Sequence, residues 1–82
     1  MRLDKYLKVS RLIKRRTVAN DACDAGRVSV NDRPARASYE VKPGDRLVLS
    51  LGAHKLEVEV LDVSEHATKE GASSLYRVIS EA

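Results

Sequence analysis

Phenylalanine and tryptophan are absent from the 82 residues, and Tyr6, Tyr39 and Tyr76 are the only aromatic side chains. Proteins that read single strands stack successive bases on exposed rings, and three scattered tyrosines make no such platform. One cysteine, Cys23, excludes an internal disulfide framework and fits a reducing compartment. The two histidines, His54 and His66, fall in a turn and a loop with no cysteine or second histidine at ligand spacing, so no metal site is expected. "GRVSVND" has the spacing of neither nucleotide fingerprint, and no cofactor is expected. No apolar run is long enough for a membrane span, and "MRLDKYLKVS" does not resemble a signal peptide. The expectation is a cytoplasmic protein of one domain with an aliphatic core, too short to add a second lobe around a substrate cleft.

What the chain has in excess is positive charge at one end. From Met1 to Arg36 there are ten Lys or Arg against four Asp, a balance of +6. From Ala37 to Ala82, five cations meet eight acids, a balance of −3. One basic pole and one acidic pole orient a domain in the field of a polyanion.

The spacing of Leu3, Tyr6, Leu7 and Ser10 predicts a first helix, with Arg2, Lys5 and Lys8 along the rim of its apolar stripe. Asp4 sits near its start, favourable to the dipole and four residues before Lys8, with which it can pair. A second helix is predicted from Lys14 or Arg15 to Ala25, with Val18, Ala19, Ala22, Cys23 and Ala25 on its apolar side and Gly26 as the left-handed residue that ends it. The period then drops to two. "RVSVN" predicts a strand, "NDRP" a turn, and "VKPGD" a type II turn at Pro43 and Gly44. "RLVLSL" and "KLEVEV" predict an antiparallel pair joined through Gly52, with Lys55, Glu57 and Glu59 on its wet side. Residues 64–74 have loop composition, and "LYRVI" predicts a C-terminal edge strand within the same domain. The fold class is α+β: two short N-terminal helices packed against a small, mainly antiparallel sheet.

Catalytic chemistry needs convergent groups, and the sequence offers few. Cys23 fits a buried thiol better than a nucleophile, and the acid pairs Asp21/Asp24 and Glu57/Glu59 fit solvated surface. The expectation is that the protein is not an enzyme. The basic cluster is more specific. Arg11, Lys14, Arg15 and Arg16 crowd around the start of the second helix, where the dipole is already positive and cations destabilise. That local cost is offset when an anion binds there. Arginine dominates the densest part, as suits bidentate phosphate contacts, and the free amides of a helix start add further donors. Arg2, Lys5, Lys8, Arg11, Lys14, Arg15, Arg16 and Thr17 are therefore the candidate site, a phosphate clamp for folded RNA read through backbone and shape.

The Arg-Leu-Asp opening at Arg2 to Asp4, the Arg-Thr pair at Arg16 and Thr17, the Gly-x-Val-x-Val-Asn run from Gly26 to Asn31, and "VKPGD" together resemble the S4-type RNA-binding domain, also called the alpha-L motif, over residues 1 to about 63. The resemblance implies an alpha-L fold that binds structured RNA with its two-helix face, Arg2 and Arg16 being the principal contacts. The whole chain is similar to stand-alone members of that family that act in bacterial ribosome-associated quality control. That similarity implies binding to stalled large (50S) subunits, contact with 23S rRNA and tRNA, and support of alanine tailing by a partner that delivers alanyl-tRNA. The alternative is a heat-shock-type large-subunit recycling factor or another protein that binds structured rRNA or tRNA. Heat-shock paralogues carry a longer basic C-terminal extension, whereas here the end, "SEHATKEGASSLYRVISEA", is short and not basic. No large apolar interface is foreseen in the sequence, so a monomer is expected.

Overall fold

In the computed structural model, which describes residues 1–63 and 75–81, the first apolar stripe folds into α1, Leu3–Val9. Leu3, Tyr6 and Leu7 are fully buried, and Ser10 is the buried C-cap. The chain leaves this helix through Arg11, whose φ of +63° is uncommon for a residue with a Cβ. Its amide still donates to the Lys8 carbonyl at 3.1 Å, and that of Ile13 to the Leu7 carbonyl at 3.0 Å, so the turn closes and Ile13 returns to the core. The second helix, α2, spans Arg16–Asp24. It meets the core through Ala19, Ala22 and Cys23 only. Val18, expected on that side, is 49% exposed, and Ala25 lies outside on the C-cap. The buried stripe is narrower than expected: with Ala22, Arg27 and Leu51, Val18 and Ala25 border an open depression of about 400 Å³.

Gly26 ends α2 with a φ of +77°. A Cβ there would meet nothing within 4 Å, so a side chain would be opposed by the torsion and not by a clash. Gly26→Val is expected to cost about 1–2 kcal/mol. In a domain of this size that lowers the melting temperature by roughly 5–10 °C. Calorimetry checks the shift, and RNA binding below the transition should persist.

Five strands follow: β1 (Val28–Val30), β2 (Arg33–Pro34), β3 (Arg46–Leu51), β4 (His54–Val60) and β5 (Tyr76–Glu81). They form one antiparallel sheet in the order β2-β1-β3-β4-β5. Asn31 and Asp32, both at positive φ, close the two-residue hairpin that pairs Val30 with Arg33. Pro34 sits on the edge strand, where a missing amide costs no ladder bond. Gly44 has a φ of +94°, the third position of the expected type II turn. The inner face carries Val28, Val30, Leu47, Leu49, Val58 and Val60, all buried against the helices. β5 is the other edge, as "LYRVI" suggested, and the predicted loop at 64–74 lies outside the described residues. Both acids expected on the wet side are half-buried and ion-paired: Glu57 with Arg46 at 3.1 Å, and Glu59 with Arg77.

The segment between β2 and β3 does not stay with the sheet. It crosses beside the start of α1, where Arg2 bridges to Glu40, the Leu3 amide donates to the Tyr39 carbonyl at 2.8 Å, and the Asp4 amide donates to the Ala37 carbonyl at 3.2 Å. These bonds satisfy orphan amides of α1's first turn and fix that helix relative to the sheet.

Candidate nucleic-acid interface

The two helices pack on each other, and where they meet lies a buried acid. Asp4 is 2% exposed. Lys8, four residues on, offered a partner by spacing, but the structure turns the Asp4 carboxylate inward and gives it others. Oδ1 accepts from Arg2 Nε at 3.2 Å and from the Lys5 amide at 2.8 Å. Oδ2 accepts from Arg2 Nη2, Arg16 Nε and Asn20 Nδ2, each at 3.4 Å. Burial alone would raise this carboxyl's pKa. The bonds from Asn20, Arg2, the Lys5 amide and Arg16 outweigh burial, so the pKa lies below its ordinary value and Asp4 is ionised at neutral pH.

One carboxylate thus gathers two guanidinium groups. Both remain about half exposed, 51% for the Arg2 side chain and 49% for Arg16. Ion pairing does not neutralise the site, because two positive charges share one negative. It orients them: each arginine is held through Nε, a geometry a lysine cannot reproduce. Arg16 is also the first residue of α2. Arg15, before it, is extended, and no side chain caps the helix. No acid occupies its first turn, so the leading amides face outward under a positive dipole with cations around them. Lys14, Arg15 and Thr17 are exposed there, and Thr17 joins Asp4, Arg16, Asn20 and Asp21 around a shallow cavity of about 310 Å³. Arg11 is exposed on the turn, Lys8 is exposed on the last turn of α1, and Lys5 is half-buried on the same helix.

Seven of the eight candidates therefore lie on α1, on α2 or on the turn between them, Arg2 is the extended N-cap of α1, and Arg2 and Arg16 share a single partner. Sequence reasoning missed Asp4 and Asn20 as members of the site. The Arg-Leu-Asp triplet was visible, but that its Asp would reach residues twelve and sixteen positions on depends on how the helices pack. The arrangement suits an anion with several acceptor oxygens, such as a phosphodiester.

Other chemistry is not assembled among the described residues. No three His, Cys, Asp or Glu side chains converge as a metal site would need. Among the described residues, no helix is long and apolar enough to cross a membrane. Cys23 is buried, and desolvation, helped by the charges of Asp4 and Asp24, pushes its thiol up to about 11. It is expected to resist a thiol reagent at pH 8 in the native protein and to react on unfolding; rapid native labelling would contradict its place in the core.

The family model described as S4 domain matches residues 1–47, the stretch that holds every residue of this interface. The chain belongs to the S4 domain family. Two relatives extend the likeness over its whole length. The RQC P-site tRNA stabilizing factor of Halalkalibacterium halodurans is 53% identical over 99% of this chain and 92% of its own. The protein of the same name in Bacillus subtilis is 48% identical over 99% and 94%. A Heat shock protein 15 homolog of Haemophilus influenzae is 32% identical over 79% of this chain and 50% of its own. Among solved structures, the trimeric Heat Shock Protein 15 of Vibrio cholerae superposes with a TM-score of 0.89, at 28% identity, over 98% of this chain and 82% of that one. This S4 domain thus has the expected alpha-L arrangement, with α1 and α2 packed on an antiparallel sheet.

Proposed function

We propose that this chain is a non-enzymatic, cytoplasmic RNA-binding factor of ribosome-associated quality control. It binds the stalled large subunit, contacting 23S rRNA and the P-site tRNA through the face made by α1 and the start of α2, and so supports alanine tailing of the nascent chain by a partner that delivers alanyl-tRNA. The observation that carries this reading is the convergence of Arg2 and Arg16 on buried Asp4 beside the uncapped start of α2. The names of the near full-length relatives support the quality-control role and tRNA as the ligand.

Gradient sedimentation tests it. The protein is expected to travel with 50S subunits that carry peptidyl-tRNA and to be released as salt rises, since each phosphate contact displaces counterions. Protein left at the top of the gradient at low salt would contradict it. A second reading, a heat-shock-type recycling factor, is favoured by the likeness to Heat Shock Protein 15. It predicts the same cosedimentation but no stimulation of tail addition.

A further inference from the structure

A second concave surface lies beside this interface, between the β1–β2 hairpin and the segment that crosses α1. Val30, Asn31, Arg33, Arg36, Ser38 and Tyr39 line most of it, and its volume is about 690 Å³. That is within the range of ligand clefts, and it is ample for one nucleotide.

Its walls are fixed by a second buried acid. Asp45 accepts from Asn31 Nδ2 at 3.2 Å, from the Tyr39 hydroxyl at 3.0 Å and from the Lys42 amide at 2.9 Å. Asn31 in turn accepts from the Arg46 amide at 3.0 Å. The hairpin tip, the Pro43–Gly44 turn and Tyr39 are thereby tied together, and with its hydroxyl held by Asp45, Tyr39 borders the groove as a half-buried ring. Arg33 and Arg36 are exposed, and among the described residues neither side chain is ion-paired. The acids nearby are engaged elsewhere: Asp32 with Arg46, Glu40 with the amino group of Met1, and Asp24 with the Ala37 amide at 3.5 Å. The segment that lines the groove is also tied to the start of α1, because the Leu3 and Asp4 amides donate to the Tyr39 and Ala37 carbonyls, and the Tyr39 amide donates to the Arg36 carbonyl at 3.0 Å.

We infer that this groove takes one nucleotide of the RNA that the helices bind, its phosphate on Arg33 and Arg36 and its base or ribose against the Tyr39 ring. Two unpaired guanidinium groups beside a partly apolar, pre-formed cleft match that chemistry: charge for the phosphate and one ring face for the base. The inference rests on the proposed function and extends its interface beyond the helices.

The test uses the full chain and 50S subunits carrying peptidyl-tRNA, with affinity measured across a salt series for three variants. Arg33→Ala with Arg36→Ala removes the charges. Ser38→Trp fills the groove from an exposed position without changing charge. Arg16→Ala serves as the reference for the helix face. The double variant is expected to bind roughly tenfold or more weakly, with a salt slope reduced by about two phosphates' worth. Ser38→Trp is expected to weaken binding with the melting temperature unchanged. If the double variant is weakened and Ser38→Trp is not, the arginines act only as distant charge and the nucleotide placement is overturned. If both bind like the parent while Arg16→Ala is impaired, the groove is a bystander and the proposed function stands. If Arg16→Ala also binds like the parent, both readings fall.

Discussion

Arg16→Ala is expected to lower affinity for large subunits carrying peptidyl-tRNA by roughly ten- to a hundredfold, the loss of one charge-assisted phosphate contact. Arg16 combines three properties, and no other candidate has all three. It begins α2, its guanidinium is held by Asp4 at 3.4 Å, and half of its side chain remains open to a ligand. The slope of log affinity against log salt should flatten by about one phosphate's worth. Stability should change little, because Asp4 keeps Arg2, Asn20 and the Lys5 amide. Arg2→Ala should behave alike. The double variant should lose more melting temperature than the two singles together, since Asp4 would then be buried with only two neutral donors. Filter binding and thermal scans measure both quantities. A single variant that loses binding together with its folded state would make the arginine structural and not a contact.

Asp4→Ala is expected to produce the other large effect, and in a direction that charge counting does not predict. Removing an acid adds a unit of net positive charge, which alone would tighten RNA binding. Here it should weaken binding, because Arg2 and Arg16 lose the group that fixes them. The fold should lose about 2 kcal/mol, less than a fully buried pair would, since both guanidinium groups can turn to water. In a domain this small that corresponds to roughly 10 °C or more in melting temperature. Because folding holds this carboxyl below its ordinary value of 3.8, its contribution is complete above that pH and is lost as the pH falls through the folded value. Asp4→Asn should accordingly show a flatter dependence of stability on pH below about 4 than the parent. Tighter RNA binding by Asp4→Ala would mean that net charge, and not placement, governs the interface.

Most of the architecture was visible in residue spacing. The apolar stripe of α1, the left-handed Gly26, the positive-φ pair Asn31 and Asp32 and the alternation in β3 and β4 are local signals, and each constrains the backbone within a few residues. The basic cluster was equally plain, because charge density needs no tertiary information. What escaped was long-range. Asp4 was matched with Lys8 because that spacing is a local feature, whereas its real partners include Arg16 and Asn20 on another helix. Val18 looked like core because its distance from that stripe's centre depends on the rotation of α2 against α1. The passage of residues 36–41 along α1 could not be foreseen, since its bonds are made by backbone groups that any sequence would provide.

Crosslinking of the protein to RNA on peptidyl-tRNA-bearing 50S subunits, followed by identification of the crosslinked peptides, tests the central claim most directly. Crosslinks should concentrate on residues 2–17, with the strongest at Arg2 and at the start of α2. Crosslinks confined to the outer face of β3 and β4 or to the β5 edge, with residues 2–17 unmarked, would contradict it.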